Sequence, residues 1–308
     1  RICRSPPFFL QLGRLCGVFM AEGVKGSCCG AVGGANGAPP PVAAWNSMVE
    51  WYTAHMSPMT TLVAAQLLKE LDLRKGTSTK MRVLETHCGD AVAASELLPL
   101  DCISSYTACD FSSSMLALAE KRLQGLATTQ VADSTQLPFE DESFDRYMSN
   151  LGCCCASDMD AKLKEARRVL TPGGRAAMSM RIGEIEGDTS FYLTSKALKP
   201  FGFPSPPERE GLRIGTDLPA LKKKLESCGF EDVKAWRTWV PVPVQSLEDF
   251  MTWNTSQPPV QKFLSQLSDE QKAEALKALE AASLKPLSDG ALQMAVAVVT
   301  GRAEGISK

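Results

Sequence analysis

Between Met81 and Met180 short apolar runs alternate with helical stretches, and this alternation restricts the chain to a parallel sheet covered on both faces. The runs are MRVLET (81–86), YTAC before Asp110, TTQVAD (128–133), FDRYMSN (144–150) and RAAMSM (175–180). Helices are expected from Ala91, from Met115 and over 158–170. The last carries Leu163, Ala166, Val169 and Leu170 on one face and stops at Pro172-Gly173-Gly174. Parallel neighbours need a crossover, so repeated βαβ units place helices on both sides of one sheet.

The flanks add to this plan. From Trp45 to Leu73 apolar residues recur at helical spacing (Met48, Trp51, Tyr52; Leu62, Ala65, Leu68, Leu71), and Pro58 divides them into two helices, the first a candidate lid. A Pro- and Gly-rich stretch over 183–216 interrupts the alternation and reads as an insertion that carries specificity. Beyond it come a helix over 218–228 with Asp217 as N-cap and Gly229 as stop, a strand over 231–240 and a helix from Leu247. A further helix is opened by the capping box Ser268–Gln271, and LQMAVAVV (292–299) reads as a buried closing strand. The resulting division is a leader over 1–40, cap helices over 41–80 and one main domain over 81–301. Residues 1–20 are basic and free of acids, and a Gly/Ala/Pro-rich stretch follows to Pro41. This leader is read as disordered or non-native sequence with a start at Met20, in preference to an organelle transit peptide.

Lys and Arg number 33 against 35 Asp and Glu, a formal net charge of −2, so no global field recruits nucleic acid or an anionic membrane. A small or neutral substrate suits that balance better than a polyanion. The 11 cysteines include neighbours (Cys28 and Cys29; Cys153, Cys154 and Cys155) without the spacing of a disulfide framework, which implies a reducing, cytoplasmic setting. No apolar run approaches the roughly 20 residues of a membrane span. Cys88, Cys109 and Cys153 to Cys155 fall at strand ends, but no C-x-x-C pair exists and no metal is expected.

The most informative segment is VLETHCGDA (83–91): an apolar strand ends in an acid, a tight loop with Gly89 follows, and a helix begins. A doubly wound sheet receives a nucleotide-like ligand at such a turn. Acids close successive strands at Glu85, Asp110 and Asp133. Asp110 suits both hydroxyls of a ribose, Phe111 and Met115 offer apolar surface for a purine, and Asp133 with the Ser134 backbone suits an adenine edge.

These segments resemble the class I S-adenosylmethionine-dependent methyltransferases of the type-11 group, which includes the ubiquinone/menaquinone-type C-methyltransferases. The family's V-L-D/E-x-G-x-G-x-G element is matched by Val83, Leu84, Glu85 and Gly89, and its D-x-S-x-x-M-L element by Asp110, Ser112, Met115 and Leu116. Asp133, Leu137, Pro138 and Phe139 match D-A-x-x-L-P-F, and EARRVLTPGGR (165–175) looks like the turn before the fifth strand. The resemblance implies a Rossmann-like, mostly parallel seven-stranded α/β sheet with N-terminal lid helices, S-adenosylmethionine as cofactor, and methyl transfer to a small-molecule acceptor. It implies cofactor contacts at Glu85, His87, Cys88, Gly89, Asp110, Phe111, Met115, Asp133, Ser134 and Asn150. Candidate acceptor contacts are Trp51, Tyr52, His55 and Arg181, with Tyr192 and Trp253 as further pocket candidates and His55 as the candidate base.

The chain departs from the family at the first and third glycines, which are His87 and Ala91. A side chain at 87 is expected to crowd the amino-acid end of the cofactor, so that His87→Gly leaves binding equal or better; Ala91 is the milder change. His87 also motivates an alternative: a non-catalytic adenosyl-ligand or partner-binding protein that keeps the fold. A nicotinamide oxidoreductase is disfavoured by the absence of G-x-G-x-x-G.

Overall fold

The structure is a computed structural model that describes residues 42–73, 79–97, 101–182, 191–205, 210–242, 244, 246–290 and 292–305. The proposed leader and the first part of the 183–216 stretch lie outside the described residues. The chain builds a seven-stranded sheet in the order β3-β2-β1-β4-β5-β7-β6. The strands are β1 (Met81–Thr86), β2 (Ile103–Asp110), β3 (Thr128–Val131), β4 (Phe144–Ser149), β5 (Leu170–Arg181), β6 (Phe230–Pro241) and β7 (Gln293–Ala303). β1 pairs in parallel with β2 and β4, and β7 runs antiparallel to both β5 and β6. The order reverses between β1 and β4, which opens a crevice at their carboxyl ends.

Alternate strand residues feed two separate cores. Val83, Met148 and Ala177 pack on one face with residues of α3 (Ser57–Glu70), α4 (Val92–Leu97), α5 (Ser113–Leu123) and α12 (Asp269–Ser288). Leu84, Tyr147, Ala176 and Met178 pack on the other with α6 (Met159–Val169) and α9 (Leu218–Ser227). Period-two side-chain direction under helices on both faces buries both sets of residues on a central strand, as from Val83 to Thr86 of β1. The helix starts follow local chemistry: Asp217 accepts from the Ala220 amide, and Ser268 and Gln271 close a complete capping box.

The structure revises several boundaries. The N-terminal segment forms α1 (Val42–Asn46), α2 (Val49–His55) and α3, and Pro58 sits in the first turn of α3, where its missing N–H costs nothing. The break falls at Met56 instead. Pro172-Gly173-Gly174 does not separate a helix from a strand: α6 ends at Val169, β5 begins at Leu170, and the triplet bulges the strand as its register with β4 shifts between Phe144 and Arg146. The insertion contributes α7 (Phe191–Leu198) and α8 (Glu210–Ile214); between β6 and β7 lie α10 (Leu247–Thr255), α11 (Pro258–Leu264) and α12. No helix among the described residues is long and apolar enough to cross a membrane.

α8 docks on the turn after β4 through a single missing side chain. A Cβ on Gly211 would stand 2.4 Å from the Cys153 carbonyl oxygen and 2.8 Å from the Cys154 Cα, both rigid backbone. Gly211→Ala is therefore expected to lower stability by about 1–3 kcal/mol despite the better helix propensity of alanine. A fall in the urea midpoint at unchanged slope checks this.

Candidate functional site

A cleft opens at the carboxyl ends of β1, β2 and β4, beneath α1 and α2. Its floor is His87 and Gly89 after β1, Asp110 and Phe111 at the end of β2, Met115 on α5, and Asn150, Leu151 and Gly152 after β4. Trp45, Met48, Trp51 and Tyr52 roof it. Met56, Thr60, Arg181 and Phe191 complete the wall with Cys154, Cys155 and Met294. A smaller recess shares His87, Phe111 and Cys155 and is bounded by Thr86, Asp133 and Ser134.

The loop after β1 is held in an unusual backbone. His87, Gly89 and Ala91 have φ of 57°, 55° and 58°. The left-handed region therefore recurs at all three positions where the family pattern has glycine, and two non-glycine residues occupy it here. Ala91 is thus strained too, which corrects the expectation that it is the milder change. Asp110 braces this loop: its Oδ2 accepts from the Gly89 amide at 3.0 Å and its Oδ1 from the Ser112 amide at 2.9 Å. Burial raises the Asp110 carboxyl, and these amide bonds pull it back down. The carboxylate borders the cleft and has acceptor capacity beyond these bonds.

Other expected contacts are placed differently. Glu85 does not line the cleft: its buried carboxyl points down to Tyr106, whose hydroxyl donates to Oε2 at 2.7 Å. The strand alternation that faces Glu85 inward is the reason. Cys88 is likewise buried, its thiol donating to the Gly89 carbonyl at 3.6 Å. His55 leaves the cleft and packs on Trp51 with ring centroids 5.2 Å apart; burial lowers its imidazole. Tyr192 lies outside the cleft lining, and Trp253 is buried edge-on to Phe191 at 5.6 Å. Asp133 and Ser134 bound the recess instead of the main cleft, and Asp133 Oδ1 accepts from the Thr135 amide at 2.9 Å. Asn150 reaches the cleft but spends its amide on the Thr60 carbonyl at 2.8 Å.

Burial pushes the Glu85 carboxyl up to about 8, against an opposing pull from the Tyr106 hydrogen bond. The folded chain then binds more protons than the unfolded one between pH ~4.5 and ~8, so this group's contribution to stability is full below that window and lost as pH rises through it. Glu85→Gln, which keeps an acceptor for Tyr106, is expected to gain melting temperature on wild type as pH goes from 5 to 9. The gain approaches about 1.4 kcal/mol per pH unit within the window.

Burial raises the thiols of Cys88 and Cys109 and brings Cys153 to about 11, while the hydrogen bond with Cys155, and then burial, raise Cys154. Among the described residues no three His, Cys, Asp or Glu side chains converge on a metal position.

Residues that sequence reasoning missed are instructive. Trp45 meets Tyr52 and Phe111 edge-on at 6.3 and 6.5 Å, and its Nε1 is buried in the cleft wall without a hydrogen-bond partner. Asn46 latches the lid, its Oδ1 accepting from Ser112 Oγ at 2.7 Å and the Ser114 amide at 3.3 Å. Phe191 carries the Arg181 guanidinium 4.3 Å above its ring. A buried donor, a strand-end carboxylate with spare lone pairs and an aromatic roof together fit an adenosyl ligand with a cationic centre.

A doubly wound sheet with a cleft at its switch point is the arrangement that receives nucleotide-like ligands. Residues 84–178 match the family described as "Methyltransferase domain", type 11. A demethylmenaquinone methyltransferase of Streptomyces avermitilis is 30% identical over 188 residues, which cover 56% of this chain and 75% of that protein. Another of that name, from Corynebacterium glutamicum, is 38% identical over 111 residues, 36% of this chain and 44% of that protein. The chain thus spans less than half the length of the latter. The methyltransferase in a Haloferax volcanii complex with the Trm112 methyltransferase activator shares the fold, with a TM-score of 0.52 at 16% identity over 84% of this chain and 97% of its own. The chain belongs to the class I S-adenosylmethionine-dependent methyltransferases, in the type-11 group.

Proposed function

We propose that this protein transfers the methyl group of S-adenosylmethionine to a small, largely apolar acceptor bearing an acidic group. The observation that carries the reading is the cleft at the β1–β4 switch point, with Asp110 and Gly89 on its floor and Trp45, Trp51 and Tyr52 above. When bound, the cofactor supplies a methyl already activated by its sulfonium, so the protein's work is alignment and exclusion of water. Asp110 holds the ribose hydroxyls, Phe111 and Met115 flank the purine, and the aromatic roof shields the cationic centre. Asp133 and the Ser134 backbone receive the adenine edge from the neighbouring recess. Met48, Met56, Met294 and Phe191 form an apolar seat for the acceptor, and buried Arg181 is the cation within it that neutralises and orients an acidic hydroxyl. That chemistry suits a quinol ring, and demethylmenaquinone, named in the relatives, is the first acceptor to try.

Thermal stabilisation tests the reading, because a ligand that binds only the folded state raises its melting temperature. S-adenosylmethionine and S-adenosylhomocysteine are expected to stabilise the protein and NADH is not. Stabilisation by NADH alone would overturn the assignment. Stabilisation without methyl transfer to any quinol would favour the binding-protein alternative.

A further inference from the structure

Lys162 lies on the apolar face of α6 between Met159 and Ala166, with 0% of its surface exposed. Its Nζ is 2.9 Å from Ser149 Oγ and 3.0 Å from His87 Nδ1, and it forms no ion pair among the described residues. An ammonium buried without an ion-pair partner is destabilising. His87 adds a second cost, since a β-carbon in the left-handed region is disfavoured. A third feature accommodates the same ring. A Cβ on Gly152 would stand 2.5 Å from His87 Cγ and 2.7 Å from its Nδ1. Gly152 itself has φ −88°, open to any residue, so what the position needs is the space. The imidazole therefore does not simply intrude on the cleft: it is seated against Lys162 and Gly152 while bordering both the cleft and the adjoining recess.

Burial first, and the Lys162 charge second, hold the His87 imidazole well below its ordinary value, so the ring is neutral. Burial also lowers the Lys162 amine, and its Nζ, within reach of both Ser149 Oγ and His87 Nδ1, stands as the donor of the pair. An ammonium has no lone pair, so Nδ1 accepts and the ring proton resides on Nε2.

We propose that Lys162 and His87 form a subsite for the anionic end of the ligand. Lys162 locks the imidazole in the Nε2–H form, and Nε2–H donates to the methionyl carboxylate. That carboxylate is the cofactor's one anionic group, and its charge offsets the buried ammonium. The inference rests on the cofactor reading above and reverses the expectation that His87→Gly is harmless.

The chain has only 2 histidines, so a nitrogen–proton correlation spectrum, assigned with His55→Gln, reads the tautomer of His87 in the ligand-free protein. The Nε2–H form is expected, and the Nδ1–H form overturns the proposal. Calorimetry then compares S-adenosylhomocysteine with 5′-methylthioadenosine, which lacks the amino-acid end. Wild type is expected to prefer the former; Lys162→Met and His87→Gly are expected to weaken it about ten-fold or more while leaving the latter nearly unchanged, the scale of one hydrogen bond to a charged group. His87→Gln, whose amide can still donate, is expected to retain most of the affinity. Equal loss for both ligands, or no loss, overturns the subsite while the cofactor reading stands; a wild type that binds neither overturns both. Should Lys162→Met fail to fold, the wild-type tautomer and the His87→Gln ligand ratio decide.

Discussion

Asp110→Ala is expected to weaken S-adenosylhomocysteine binding by about 1–3 kcal/mol, roughly ten- to a hundred-fold, from the loss of hydrogen bonds to a charged group. The same carboxylate also accepts from the Gly89 and Ser112 amides, so its removal loosens the loop that holds His87, Gly89 and Ala91 in left-handed backbone. A lower melting temperature is expected beside the lost affinity, with the fold retained because Val83 and Ala108 keep the strands packed. Calorimetry with circular dichroism checks this: unchanged affinity in a normally folded variant would remove Asp110 from the ligand site.

The second large effect concerns the roof. A chain beginning at Ser57 lacks Trp45, Met48, Trp51 and Tyr52 from the cleft, the Asn46 latch on Ser112, and the bond of 3.1 Å from Trp51 Nε1 to Ser256 Oγ. It keeps the Ser57 hydroxyl bond to buried Asp90 at 2.8 Å and every core residue from Met59 onward. It is expected to fold, to bind S-adenosylhomocysteine more weakly, and to lose turnover on any acceptor that the intact chain methylates. Water reaching the reacting centre and a lost acceptor wall are the physical causes. Near-normal turnover, or failure to fold, would mean that α1 and α2 are ordinary packing helices.

Much of this architecture is local and therefore legible in the residues. Strand periodicity, the Asp217 and Ser268 caps and the acids at strand ends each depend on neighbours within a few positions. The bulge at Pro172-Gly173-Gly174 was not legible, because the same three residues suit a helix stop and a strand bulge, and only pairing with β4 selects one. Lys162 left a trace that was open to reading: it sits one position before Leu163 on the stripe formed with Met159, Ala166 and Val169, so a lysine on a buried face was already implied.

The doubly wound α/β sheet, with the turn after β1 and Asp110 at the end of β2, was readable from short-range pattern and residue chemistry. Tertiary structure alone decided where the polar groups point. It turned Glu85 down to Tyr106, drew His87 to Lys162 from 75 positions away, latched Asn46 to Ser112, and gave the roof to Trp45 as well as to Trp51 and Tyr52. A buried hydrogen-bonding group takes the partner that packing brings within about 3 Å, and separation along the chain carries no information about that partner.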